Sequence, residues 1–298
     1  MAAADTPGFG ERCFVALQYL LPQHFLSRIV LRATRSERPS WKNWLIRRFV
    51  GHFEVNMSEA TQPDPYAYAS FNHFFTRALR AGARPGDAAS NAIVSPVDGT
   101  VSAAGAIEGD RLLQAKGHDY SLEELLAGDT TLVQEFRGGR FATLYLAPYN
   151  YHRIHMPLSG VLRTTIHVPG RLFSVNTATA ALVPRLFARN ERVICVFDTE
   201  FGSLAVILVG ALFVGSMATV WAGDITPRRG ARPSRLAPPL QPVRLERGAE
   251  LGRFNMGSTV ILLLPGNAHW TDSLVAGSLV RVGETIGNLG VTGSSRPS

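Results

Sequence analysis

Three short islands carry the side chains with chemistry to offer: Asp98 in "SPVDGT", His152 and His155 in "APYNYHRIHMP", and Ser258 in "GRFNMGSTVILLLP". A carboxylate that orients an imidazole, which in turn takes a proton from a hydroxyl, is the general arrangement that activates a serine. Asp98 precedes Gly99, a pair suited to a tight turn that holds a carboxylate at a strand end. Gly257-Ser258-Thr259 stands directly before Val260-Ile261-Leu262-Leu263-Leu264, a run that belongs in a core. A hydroxyl placed there needs a reason. His152 and His155 have the spacing of half a metal site, but no nearby Cys or carboxylate cluster completes a ligand set, and no metal is expected. The G-x-S-x-G elbow of α/β hydrolases is absent. Cys195, inside "RVICVFD", reads as a small buried thiol rather than a nucleophile. With Cys13 as the only other cysteine, there is no disulfide framework.

A β-rich chain has to hold these islands. "AIVSPVDGTVSAAG", "RFATLYLAP", "RVICVFD", "TVILLLP" and "SLVRVGETIG" are short strand-like runs bounded by Gly, Pro, Asn or Asp. Leu204 to Gly223 carries no charge and is long enough to cross a bilayer. Gly210 and Gly215 punctuate it, however, and its Val, Ile and Thr content favours two buried strands. Helical pieces are expected at "YASFNHFFTRALR", "SLEELLAG" and "NTATAALVPRLFARN", the first with Phe71, Phe74 and Phe75 on a core-facing stripe. The Pro- and Arg-rich stretch 226–244 reads as an exposed, mobile loop. The expected fold class is α+β, with a mainly antiparallel β core of sandwich- or barrel-like form and N-terminal amphipathic helices. At 298 residues, 46% hydrophobic and 18% charged, the chain buries a sizeable core, and wholesale disorder is excluded.

The head of the chain is basic. Residues 1–53 hold eight basic side chains against Asp5, Glu11 and Glu37, which accounts for five of the seven net positive charges. In "WKNWLIRRFVGHF", Trp41, Leu45, Phe49 and Phe53 fall four apart and share a helical face with Trp44, while Lys42, Arg47 and Arg48 lie elsewhere. Bulky aromatics opposite arginines suit a helix lying in a lipid interface, where each cation near an anionic surface adds about 1 kcal/mol. The alternative is a helix packed on its own domain with merely solvated charges. Pro22 and His24 interrupt the apolar run, which argues against a secretory signal. On the residues alone, both readings of this segment stay open.

Taken in order, the islands and their surroundings resemble the bacterial phosphatidylserine decarboxylases, a family of pyruvoyl enzymes made as proenzymes. The likeness runs from "FNHFFTRALR" through "SPVDGTV", "YLAPYNYHRIHMP", "VPGRLFSVN", "LFARNERVICVFDTEFG" and "VWAGDITP" to "GRFNMGSTVILLLP". The family's processing signal commonly reads Leu-Gly-Ser-Thr; Met256 stands here where the leucine does, an apolar exchange of similar volume. The resemblance implies self-cleavage between Gly257 and Ser258 into a large chain (1–257) and a small chain (258–298). In that chemistry the Ser258 hydroxyl attacks the Gly257 carbonyl, the resulting ester eliminates, and the dehydroalanine hydrolyses to a pyruvoyl group. The resemblance further implies that Asp98 and His155 form a relay with Ser258, while His152 stands nearer the decarboxylation step. It implies phosphatidylserine as substrate, an imine to the pyruvoyl group, and phosphatidylethanolamine and CO2 as products. It also implies a homodimer, peripheral on the cytoplasmic face of the inner membrane, in which residues 1–60 form a docking segment for an anionic membrane surface, with no nucleic acid as partner, and residues 61–298 form the catalytic domain.

The lysine count agrees with this expectation. Of the 30 basic residues only Lys42 and Lys116 are lysines, and a pyruvoyl enzyme needs none, whereas a PLP enzyme holds its cofactor on one. Lys116 would be the candidate, and no PLP is expected. Residues 258–298 sit at the limit of ~40 residues below which chains rarely fold alone, so the small chain has to pair with strands of the large one. Two rival readings stay open. One is a soluble pyruvoyl-dependent decarboxylase of a free amino acid; the other is a serine hydrolase that uses Ser258, His155 and Asp98 in an intact chain.

Overall fold

The apolar run after Ser258 forms the strand Thr259–Leu264, buried along its whole length. It pairs antiparallel with Arg140–Tyr145 on one side and Gly202–Val209 on the other. In the computed structural model, which describes residues 8–290 apart from 85, 87–88, 116–117, 215 and 227–231, this strand lies inside a nine-stranded sheet. From one edge the sheet runs Ser234–Arg235, Gly160–Val168, Arg192–Thr199, Gly202–Val209, Thr259–Leu264, Arg140–Tyr145, Gly99–Ala106 and Leu279–Val280. Arg244–Leu245 also pairs with Gly160–Val168. Its pairings are antiparallel throughout.

Successive side chains of a strand point to opposite faces, and both faces of this sheet are covered. Ile261 and Leu263 enter a core closed by helical residues such as Val15, Leu125, Phe136 and Phe187. Val260, Leu262 and Leu264 enter a second core. That core is closed by two smaller sheets, Ala92–Val94 with Thr285–Leu289 and Ala268–Trp270, and Gly223–Ile225 with Met217–Thr219, Glu250–Phe254 and Arg153–His155. The fold is α+β and sandwich-like. Among the described residues the strands do not close into a barrel, because the main sheet ends in the two-residue strands Ser234–Arg235 and Leu279–Val280 at opposite edges.

The uncharged span resolves into Gly202–Val209 and Met217–Thr219, and no helix among the described residues is long and apolar enough to cross a membrane. The 226–244 stretch is not a loop throughout: Ser234–Arg235 and Arg244–Leu245 both hydrogen-bond to Gly160–Val168. Residues 227–231 within it, and Lys116, lie outside the described residues. Pro184 divides the expected helix at 176–190 into Thr177–Leu182 and Leu186–Arg189. Cys195 is buried and its thiol pKa is pushed up by desolvation, while Cys13 is exposed; both are free.

Three helices open the described chain: α1 (Phe9–Leu20), α2 (Gln23–Thr34) and α3 (Pro39–Val50). Their inner faces belong to the core. In α1, Val15 is buried, and Gln18 accepts from the Ser174 N–H at 2.7 Å. Gln23 of α2 accepts from the Leu172 N–H at 2.9 Å. In α3, Ile46 packs with Phe71, Phe74 and Phe75 of α4 (Phe71–Phe75), joined by Leu45 and Phe49. The aromatic face expected for α3 is therefore split. Leu45 and Phe49 turn inward, whereas Trp41 and Trp44 stack on each other outside, 5.2 Å between ring centroids. Lys42, expected on the polar side, is buried because its Nζ donates to the Tyr66 carbonyl at 2.7 Å.

Candidate active site

Three segments converge where Thr259–Leu264 begins. They are the 146–152 turn that leaves Arg140–Tyr145, the 210–214 loop that leaves Gly202–Val209, and the chain arriving from Phe254. Antiparallel register brings them together, since Thr259 lies opposite both Tyr145 and Val209. Ser258 is fully buried; its carbonyl accepts from the Leu146 N–H at 2.8 Å, and its Oγ has no hydrogen-bond partner. Leaving a hydroxyl buried and unpaired costs about 1–3 kcal/mol, so a serine kept there is a functional candidate. A Cβ on Gly257 would lie 3.2 Å from His152 Cε1 and 3.4 Å from the Leu146 carbonyl. Glycine lets the imidazole close on this peptide.

His152 is buried and stacked on Phe75, with 4.1 Å between centroids and an 18° interplanar angle. Its Nε2 lies 3.1 Å from the Pro148 carbonyl, which only accepts, so Nε2 carries the hydrogen; Nδ1 has no partner and presents a lone pair. Burial pushes its pKa down to about 3, so the ring is a neutral imidazole at physiological pH. His155 is held differently. Its Nδ1–H donates to the Gly248 carbonyl at 2.7 Å, and its Nε2 lies 3.0 Å from Tyr151 Oη, which donates to it. Burial lowers its pKa as well. Asp98 is clasped by Arg84, whose Nε donates to Oδ1 at 3.0 Å, and Oδ1 also accepts from the Val282 N–H at 2.9 Å. Arg84 reaches Glu59 at 2.8 Å too, and these carboxylates hold its pKa above the ordinary guanidinium value.

Of the residues singled out from sequence, the structure sets His152 against Gly257, the residue before Ser258. Asp98 and His155 lie apart from that contact, hydrogen-bonded to other groups and not to each other or to Ser258. Sequence reasoning assigned Phe75 to packing alone, yet its ring is the floor on which His152 rests. Tyr151 and Arg84 were missed. Tyr151 sits inside the histidine island; nothing in the sequence around Arg84 points to Asp98.

A pocket of about 190 Å³ opens on Gly257, lined mostly by apolar groups that include Phe75, Val175, Leu212, Phe213 and Met256, with Ser174 and Asn176 as polar members. Larger surface cavities, about 490 Å³ beside Asp198 and Arg244 and about 610 Å³ at the turn between α1 and α2, touch neither Gly257 nor His152. The small pocket reaches Gly257, and a further cavity of about 230 Å³ opens beside Asp98, Arg84 and Tyr151.

A buried serine peptide faced by a neutral imidazole, with a largely apolar pocket opening on Gly257, makes a candidate enzyme site suited to a substrate with apolar bulk. A family profile described as phosphatidylserine decarboxylase matches residues 71–288, and one described as PSD matches residues 13–54. Relatives named phosphatidylserine decarboxylase proenzyme include one from Bordetella petrii, 52% identical over 93% of this chain and 98% of its own. Another, from Azotobacter vinelandii, is 53% identical over 94% and 99%, and a third, from Ectopseudomonas mendocina, is 53% identical over 93% and 98%. The chain belongs to the phosphatidylserine decarboxylase family of carboxy-lyases.

Proposed function

We propose that the chain is a proenzyme that cleaves itself between Gly257 and Ser258 and then converts phosphatidylserine to phosphatidylethanolamine and CO2. The observation that carries this reading is the Ser258 hydroxyl, buried without a partner beside a glycine on which His152 closes. In the cleavage step Ser258 Oγ is the nucleophile and the Gly257 carbonyl its target. Asp98 and His155 are assigned to the relay that serves Ser258, which requires His155 to exchange both its Nε2 contact with Tyr151 and its Nδ1–H bond to Gly248. His152 is assigned to the proton at the reacting carbon, since its free Nδ1 can take a proton and return it.

The residues present fit a pyruvoyl group at position 258. The position is fully buried, its Oγ is unclaimed, and its carbonyl is tied to Leu146. When formed, that group supplies the electron sink for the carbon that loses CO2. The chain's own part is to bury the site, anchor residue 258 and place His152. Of the two lysines, Lys42 is engaged with the Tyr66 carbonyl and the Asn43 side chain and is given no role at Ser258.

The same reading places the protein as a homodimer, peripheral on the cytoplasmic face of the inner membrane, with α1–α3 docked on anionic lipid. Exposed Phe9, Leu20, Phe25 and Trp44 support docking, as do the exposed Arg28, Arg32, Arg47 and Arg48. The test is a denaturing mass spectrum of the purified protein together with CO2 release from phosphatidylserine vesicles. A fragment that begins at residue 258 without a free amine, and lipid-dependent CO2, are expected. An intact chain acylated at Ser258 would point to a hydrolase; turnover of free serine without vesicles would point to a soluble decarboxylase.

A further inference from the structure

Phe213 is out of place for a residue whose only task is to fold. Its φ is +66°, in the left-handed region that an aromatic side chain enters only at a cost. The residue is 41% exposed, so burial offsets that cost only in part. Yet it stands at the rim of the pocket that opens on Gly257, beside Leu212, Val175 and Met256.

The surroundings of this rim tie it to the docking helices. Val15 of α1 shares one apolar cluster with Val175 and Ala211, which line the pocket, and with Val214, which follows Phe213 in the chain. Gln18 holds the Ser174 N–H, again on the pocket wall. The body that carries exposed Phe9, Leu17 and Leu20 is thus the body on which the Phe213 loop is built. A strained, exposed aromatic beside a reactive pocket and an apolar, arginine-bearing helix pair matches a lipid surface in both polarity and charge.

We propose that Phe213 is a membrane contact and a substrate-selecting residue. It sits in the interface of a phospholipid bilayer, and the glycerol and first acyl carbons of the lipid pass against its ring as the head group enters. The pocket then opens into the bilayer and not into water, so a diacyl substrate reaches residue 258 without leaving its leaflet. This rests on the reading of the chain as a lipid decarboxylase and adds to it the rim that meets the lipid.

The test compares wild type, Phe213→Gly and Phe213→Leu on vesicles of phosphatidylserine in phosphatidylcholine, and on a short-chain phosphatidylserine below its micelle concentration. Glycine accepts this φ without strain, so Phe213→Gly is expected to keep or raise Tm. It is expected to raise KM on vesicles about fivefold or more, with a smaller effect on kcat and on the short-chain lipid, and Phe213→Leu should recover most of the loss. A Phe213→Gly enzyme with wild-type KM on vesicles overturns the proposal. Equal losses on both substrates overturn the membrane contact, because the ring would then merely line the pocket. A wild type that releases no CO2 from either lipid overturns the underlying functional reading instead, and this proposal with it.

Discussion

His152 shows how a single residue's environment sets its chemistry. Its ring is sealed between Phe75 and the Gly257 peptide, and desolvation moves its pKa from 6.5 to about 3. The unfolded chain therefore binds a proton that the folded chain refuses throughout that interval, so stability rises with pH there. The stabilisation is complete above 6.5 and is lost progressively as pH falls toward 3. His155, whose pKa burial also lowers, contributes with the same sign. One such group changes unfolding free energy by up to about 1.4 kcal/mol per pH unit. Thermal unfolding followed from pH 7 down to pH 4 should show Tm falling with acid, and falling less steeply in His152→Gln. Parallel profiles for the two proteins would mean that this histidine is not held neutral.

At the scale of elements, the strand that follows Ser258 decides what cleavage can do. Thr259–Leu264 lies between two strands that both precede Gly257 in the sequence, Arg140–Tyr145 and Gly202–Val209. Leu279–Val280 pairs with Gly99 and Thr100, and Asp98 holds the Val282 N–H. Each of the five apolar side chains from Val260 to Leu264 is fully buried and contributes roughly 1.5–3 kcal/mol. A cut at residue 258 should therefore leave one folded body: both chains are expected to elute together on native size exclusion and to part only in denaturant. A free small chain in the native eluate would contradict this. Much of this architecture is legible in the sequence. Short β-branched runs bounded by turn residues give the strands, and the 204–223 stretch is two buried strands in different sheets and not a span. What is not legible is which side of an amphipathic helix faces in. Spacing put Trp41, Leu45 and Phe49 on one face of α3, but whether a neighbour covers that face depends on α4, and α4 takes Ile46 with Leu45 and Phe49. The site divides in the same way. Ser258 announces itself by the core run behind it. The partners that claim Asp98 and His155, Arg84 and Gly248, come from loops whose approach is a product of the whole fold.

For the molecule as a whole, the question is how a chain with no membrane-crossing helix among its described residues meets a substrate that stays in a bilayer. The N-terminal helices answer with two faces. Inward, Val15, Gln18, Gln23 and Ile46 are buried, and Arg35 pairs with Asp224. Outward, Phe9 and Leu20 are more than four-fifths exposed, and Phe25 and Trp44 are half exposed or more. Deleting these helices would strip the cover from Phe74 and Phe75 and disturb the floor under His152, so a deletion cannot separate docking from folding. Changing only the outer face can. Phe9→Ser, Leu20→Ser, Phe25→Ser and Trp44→Ser combined should leave self-cleavage unchanged and lower Tm only slightly, through the lost stack of Trp44 on Trp41, because none of the four is buried in the free protein. Binding to anionic vesicles, measured by co-sedimentation, should fall by tenfold or more, since each apolar side chain withdrawn from the interface forfeits about 1 kcal/mol or more. The residual binding should weaken further as salt rises, because the exposed arginines act through a field that 1 M salt screens within about 3 Å. If the fourfold variant sediments with vesicles as wild type does, the helices serve only as cover for the core, and the lipid must be met by another surface.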